Sequence, residues 1–165
     1  MQLSTVSRAL FAGLAMASAA ALSAKESLGV FETWAAFRDP AERRCYAIAM
    51  PLQSASRRDL QAYASIGTWP GRNVSGQVYF QLGRDTRKGT RISLRVGNRW
   101  YRMAGGGTSA WALDAQTNTA ILSGIRSSQS MTIAAFDTRG NRFTDRFPLA
   151  GAATAIDAAS VACRS

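Results

Sequence analysis

VSGQVYFQL, residues 74–82, places Val74, Val78, Phe80 and Leu82 on one side of an extended chain and Ser75, Gln77, Tyr79 and Gln81 on the other. Successive side chains of a strand point to opposite faces, so this period of two describes a strand with one buried and one wet face. RISLRV, residues 91–96, repeats the pattern: Ile92, Leu94 and Val96 alternate with Arg91, Ser93 and Arg95. Half-buried strands of this kind belong to antiparallel sheets. The polar link GRDTRKGT between them predicts that the two are sheet neighbours.

Working outward, VFETWAAF (30–37), RCYAIAM (44–50) and YASIGTW (63–69) read as three further strands. PLQSASRRDLQA (51–62) reads as a polar, basic surface loop. SMTIAAF (130–136) and RFTDRFPL (142–149) flank DTRGN, a turn sequence suited to a hairpin. Two short helices complete the reading. Asp114 is a candidate N-cap for AQTNTAILSGIRSS, with Ile121 and Ile125 on one face. GAATAIDAASVAC carries Ala152, Ile156, Ala159 and Cys163 at helical spacing. The expected fold is mainly β: a small antiparallel β-sandwich or barrel-like domain with two short helices, one of them C-terminal.

The N-terminus is of a different kind. After Arg8 the run ALFAGLAMASAAALSA has no charge until Lys25 and ends in small residues. This is the pattern of a secretory signal peptide over residues 1–24, with cleavage expected after Ala21, Ser23 or Ala24. Residues 25–165 then form one domain, with no second apolar run long enough for a transmembrane segment. An exported chain works in an oxidising space, so its only two cysteines, Cys45 and Cys163, are expected to form a disulfide. The expected localisation is periplasmic, outer-membrane-associated or secreted.

Twenty Lys and Arg against ten Asp and Glu give a net charge of +10, one unit less once Arg8 is removed. Lys25 and Lys88 are the only lysines, so this basic protein owes its charge to arginine. A cationic exported domain is drawn to anionic surfaces, so the expected partner is an anionic envelope component, a glycan or a protein rather than nucleic acid. The chain has no histidine, which argues against most zinc, copper and haem sites and against a Ser-His nucleophile. No G-x-S-x-G elbow occurs. No metal, cofactor or catalytic residue is expected. Asp137 and Asp145, flanking the last hairpin, are the one pair that could serve a carbohydrate-active hydrolase. The preferred reading makes Asp137 a turn residue and Asp145 a carboxylate bonded to arginine or backbone.

FETWAAF, RCYAIAMPLQS, RISLRVGNRWYRM, SAWALDAQTNTAILSGIRSSQSMTIAAFDTRGN and above all DRFPLAGAATAIDAASVAC, taken in order, resemble the invasion-associated locus B family of exported proteobacterial proteins. The resemblance runs over nearly all of residues 28–163. It implies a small β-rich periplasmic or outer-membrane-associated domain, with a part in host-cell invasion for some pathogenic members. It carries over scaffold positions and no catalytic ones: Trp34, Cys45, Trp111, Asp145, Leu149, Gly151 and Cys163. Other branches place a further cysteine where Arg38 stands here, and its absence favours pairing of Cys45 with Cys163.

GNRWYRMAGGGTSAW, residues 97–111, holds the functional signal. A two-residue turn at Gly97 and Asn98 would set Arg95 against Trp100, Leu94 against Tyr101 and Ser93 against Arg102. Trp100 would then share the outer face with Arg91, Arg95 and Arg102, where a guanidinium can stack on the indole. Either these four residues form a binding surface, or another strand, loop or helix covers Trp100; cover is the expectation. Gly105, Gly106 and Gly107 are expected to be a flexible bend that lets Trp111 pack.

Overall fold

The computed structural model describes residues 24–52 and 59–164. Residues 1–23 of the expected signal peptide 1–24, and Arg57 and Arg58 of the loop, lie outside them. Among the described residues there are ten strands and two α-helices: β1 (Glu26–Phe31), β2 (Trp34–Asp39), β3 (Arg44–Ala49), β4 (Tyr63–Trp69), β5 (Val74–Gln81), β6 (Ile92–Val96), β7 (Arg99–Gly106), β8 (Ser109–Ala112), α1 (Ala115–Ser127), β9 (Ser130–Phe136), β10 (Arg142–Pro148) and α2 (Ala152–Ala162). All strands join one antiparallel sheet in the order β1-β2-β3-β4-β5-β8-β7-β6-β9-β10. The fold is thus mainly β, with one helix at the C-terminus.

The sheet curls so that edge strand β10 faces strands of the other half. Phe80 of β5 packs on Phe147 of β10 with ring centroids 5.7 Å apart. Leu52 donates its backbone N–H to Arg146 O (2.8 Å), Gly83 donates to Asp145 Oδ2 (3.1 Å), and the Trp34 indole donates to Pro148 O (2.9 Å). The inward residues read from the sequence line this interior: Val78, Phe80, Leu82, Ile92, Leu94, Val96, Ile133 and Phe147 are all buried.

Helix α2 packs chiefly on β2 and β3. It can come close because both sides are small: Ala36, Ala47 and Ala49 on the strands, Ala152, Ala155 and Ala159 on the helix, all buried. Its end is tied down by the disulfide between Cys45 and Cys163, whose sequence separation is 118 and whose Cα atoms are 5.7 Å apart. Helix α1 starts where Asp114 accepts from the Thr117 N–H at 2.7 Å. It buries Ile121 and Ile125. The first half of β5 lacks a strand on its β8 side, and Asn118 of α1 supplies the missing bonds, accepting from Val78 N and donating to Gly76 O, both at 2.9 Å.

Three expectations are corrected. Residues 30–37 are not one strand: the chain reverses at Glu32, which takes a left-handed φ of 53°, and β1 and β2 form a tight hairpin. Strands β5 and β6 are not neighbours, because β7 folds back on β6 and then on β8, and β8 takes the edge of β5. Alternation reveals a strand's faces and is silent about its partner. Of the three glycines expected to form a flexible bend only Gly107 lies in a turn, the reversal between β7 and β8, with a φ of 59°. Gly105 and Gly106 are strand residues opposite Ala110 and Ser109, and a Cβ on Gly105 would overlap the Ser109 carbonyl, so glycine is what allows this close approach.

Candidate functional site

The β6–β7 hairpin has the register the sequence implied: Ile92 opposite Met103, Ser93 opposite Arg102, Leu94 opposite Tyr101, Arg95 opposite Trp100 and Val96 opposite Arg99. Leu94, Ile92 and Met103 turn inward and are buried. The expected cover over Trp100 is absent: its side chain is 61% exposed. The reason lies in the strand order. Helix α1 buries its own Ile121 and Ile125 and α2 packs on the alanine surface, and among the described residues no element covers the outside of β6 and β7.

Extending the register gives the surface its shape. Trp100, Arg95, Thr132 and Arg146 form one row across β7, β6, β9 and β10, and Arg102, Ser93, Ala134 and Thr144 form the next. The Arg95 guanidinium lies 5.9 Å from the Trp100 ring. Arg91, Arg95, Arg102, Arg142 and Arg146 are all exposed, and none has a carboxylate partner among the described residues. Beside Arg91 and Arg102 opens a cavity of about 480 Å³, lined also by Arg87, Lys88 and Gly105, with no acidic residue in its wall. The structure therefore brings Arg91, Arg95, Trp100 and Arg102 onto one open cationic face. Trp111 does not pack inward as expected; it stands on the outer face opposite Tyr79 and Ala104 and is 41% exposed.

Both carboxylates are satisfied by backbone N–H groups, and Asp137 by a guanidinium as well. Asp137 Oδ1 accepts from the backbone N–H groups of Arg139 (3.0 Å) and Asn141 (2.8 Å), and Oδ2 from Arg84 Nη1 (3.1 Å). Burial alone would raise its pKa, but the Asn141 N–H, the Arg84 guanidinium and the Arg139 N–H together hold it below the usual carboxylate value. Asp145 lies opposite Ile133, four residues before Asp137 in the partner strand. Its Oδ2 accepts from the Gly83 N–H at 3.1 Å, next in the chain to the Arg84 that pairs with Asp137.

A second feature was not read from the sequence. On the outer side of β4 the residues are small, Ser65 and Gly67, whereas β3 and β5 on either side carry Tyr46, Ile48, Gln77 and Tyr79. The result is a groove of about 440 Å³, walled by Tyr46, Tyr63, Trp69 and Tyr79 and flanked at one end by Lys25 and Arg44. Gly67 makes room for Trp69, whose indole lies over it: a Cβ there would come within 2.6 Å of the ring. Arg44 sits 4.8 Å above the Tyr46 ring and 5.8 Å from that of Trp69. Burial, with the neighbouring Tyr79 phenol, pushes the Tyr63 pKa up, so its hydroxyl stays neutral. Each of these aromatics had been assigned to a strand; only the register of three strands shows that they converge.

No family model, curated protein or solved structure matches this chain. No helix of the described residues is long and apolar enough to cross a membrane.

Proposed function

We propose that this chain is an exported, non-enzymatic binding protein of the cell envelope, of the invasion-associated locus B type, that attaches to an anionic envelope component. One observation carries the proposal: Trp100 stands exposed among arginines that have no carboxylate partner among the described residues. A row of guanidiniums without counter-charges attracts phosphate or carboxylate groups, and an exposed indole adds stacking or apolar contact once they arrive. The cationic cavity beside Arg91 extends the same surface. The leader-like run of residues 9–24 and the disulfide support action in the periplasm or at the outer membrane, and the family resemblance adds a part in host interaction.

Binding of the mature protein to vesicles tests this reading. Vesicles containing lipopolysaccharide are expected to retain it and neutral phosphatidylcholine vesicles are not, with retention weakening as salt shortens the screening length to below about 10 Å. Trp100→Ala and Arg95→Ala should melt as the parent does but bind at least about tenfold more weakly, a loss of roughly 1.4 kcal/mol. Unchanged retention of both variants overturns the proposal.

A further inference from the structure

We infer that the groove over β4 is a separate binding site for an acidic sugar, a pyranose ring bearing a carboxylate within a glycan. Three observations meet there. The first is shape: small Ser65 and Gly67 between strands of large residues leave a depression of about 440 Å³, within the size range of small-ligand sites. The second is the wall. Tyr46, Tyr63, Trp69 and Tyr79 present aromatic rings, whose electron-rich faces attract the slightly positive C–H groups of a sugar. The rings are held before any ligand arrives. Phe37 stacks on Tyr46 at 5.6 Å, Trp69 rests on Gly67, and the Tyr79 hydroxyl lies 3.2 Å from Gln81 Oε1 and 2.9 Å from Ser109 Oγ. Such preorganisation lowers the ordering cost of binding.

The third observation is charge, and it selects an acidic sugar over a neutral one. Lys25 and Arg44 both border the groove, and the nearest carboxylate, Asp39, is shared between them at long range, 3.9 Å from Lys25 Nζ and 3.5 Å from Arg44 Nη2. Arg44 is held by ring faces more than by hydrogen bonds, and its Nε is buried without a partner. Two cations sharing one distant carboxylate leave positive charge for a ligand carboxylate at that end. Exposed Gln77 offers an amide to sugar hydroxyls along the wall.

The test uses the mature protein, a trigalacturonate and its methyl ester, with binding read by calorimetry and by tryptophan fluorescence. The acid is expected to bind saturably, and the ester at least about fivefold more weakly, a difference of roughly 1 kcal/mol. Trp69→Ala should weaken binding of the acid about tenfold or more. Ser65→Tyr fills the depression without removing a wall residue and should do the same, which covers the case in which Trp69→Ala fails to fold. Trp100→Ala should leave this binding within about twofold, because that residue belongs to the other half of the face; this separates the present inference from the vesicle result above. Absence of saturable binding, equal binding of acid and ester, or full binding by a folded Ser65→Tyr protein overturns the inference.

Discussion

On strands β6 and β7 the inward side chains Ile92, Leu94, Val96 and Met103 are buried, while Arg95 and Arg102 beside them in the chain, and Trp100 opposite Arg95, stand in solvent. A step of one residue thus crosses from the packed interior to a surface whose arginines have no carboxylate partner among the described residues. The inner face gains from every contact it makes, whereas the outer face holds an indole and a row of cations at positions that contribute little to folding. The contrast implies that substitutions on one face change stability and leave binding intact, and that substitutions on the other do the reverse.

The largest expected effect lies inside. Phe147 is fully buried against Phe80, and Phe147→Ala should cost about 3–5 kcal/mol through lost transfer energy and the cavity left behind. Chemical denaturation measures that cost, while the protein that remains folded should bind lipopolysaccharide vesicles as the parent does. A stability loss below about 1 kcal/mol would show that β10 does not pack across the interior onto β5 as described.

Next comes the disulfide, which ties α2 to β3. Replacing Cys45 and Cys163 together by alanine should cost about 2–5 kcal/mol, since their sequence separation is 118 and the open chain gains entropy in the unfolded state. The melting temperature with and without reductant should fall in the parent and stay constant in the double variant. Intact mass measured without reductant should show two fewer hydrogens than the reduced protein.

A smaller effect sits at the turn between β9 and β10. The folded pKa of Asp137 lies below its unfolded value, so its contribution to stability is complete above the unfolded value of about 3.9 and is lost as pH falls through the folded value. Asp137→Asn should therefore be less stable than the parent near neutrality, with the gap closing in acid. Melting curves from pH 7 down to about pH 2 check this, and a gap independent of pH would assign the carboxylate no role as an anion. Smallest of all should be the stability change in Trp100→Ala, within about 0.5 kcal/mol, as expected of a surface side chain that supports nothing beneath it.

Much of the architecture was legible in the residues. Alternation placed Phe80 and Leu94 inward, the Gly97 and Asn98 turn set the β6–β7 register, Asp114 began α1, and the spacing of Ala152, Ile156 and Ala159 oriented α2. These features depend on local geometry, on a period of 2 or 3.6 and on a turn of fixed length, so a short window contains the information. The open face was half legible. Trp100 was placed outward with its arginines, but whether anything covered it depended on where both helices went. The groove was not legible at all, because Tyr46, Trp69 and Tyr79 come from three strands.

By itself the sequence determined the antiparallel β character, the two helices, the faces of the main strands, the pairing of its two cysteines and the strong arginine bias. Each follows from a repeat within one segment or from a count over the chain. Only the tertiary structure decided that β8 and β7 separate β5 from β6, that Gly105 and Gly106 belong to a closely paired strand, that Trp100 and Trp111 remain in solvent, and that four aromatic rings meet over Ser65 and Gly67. Those outcomes depend on strand order and on which surfaces the helices cover. Strand order is chosen by the whole core at once, and no single strand carries it.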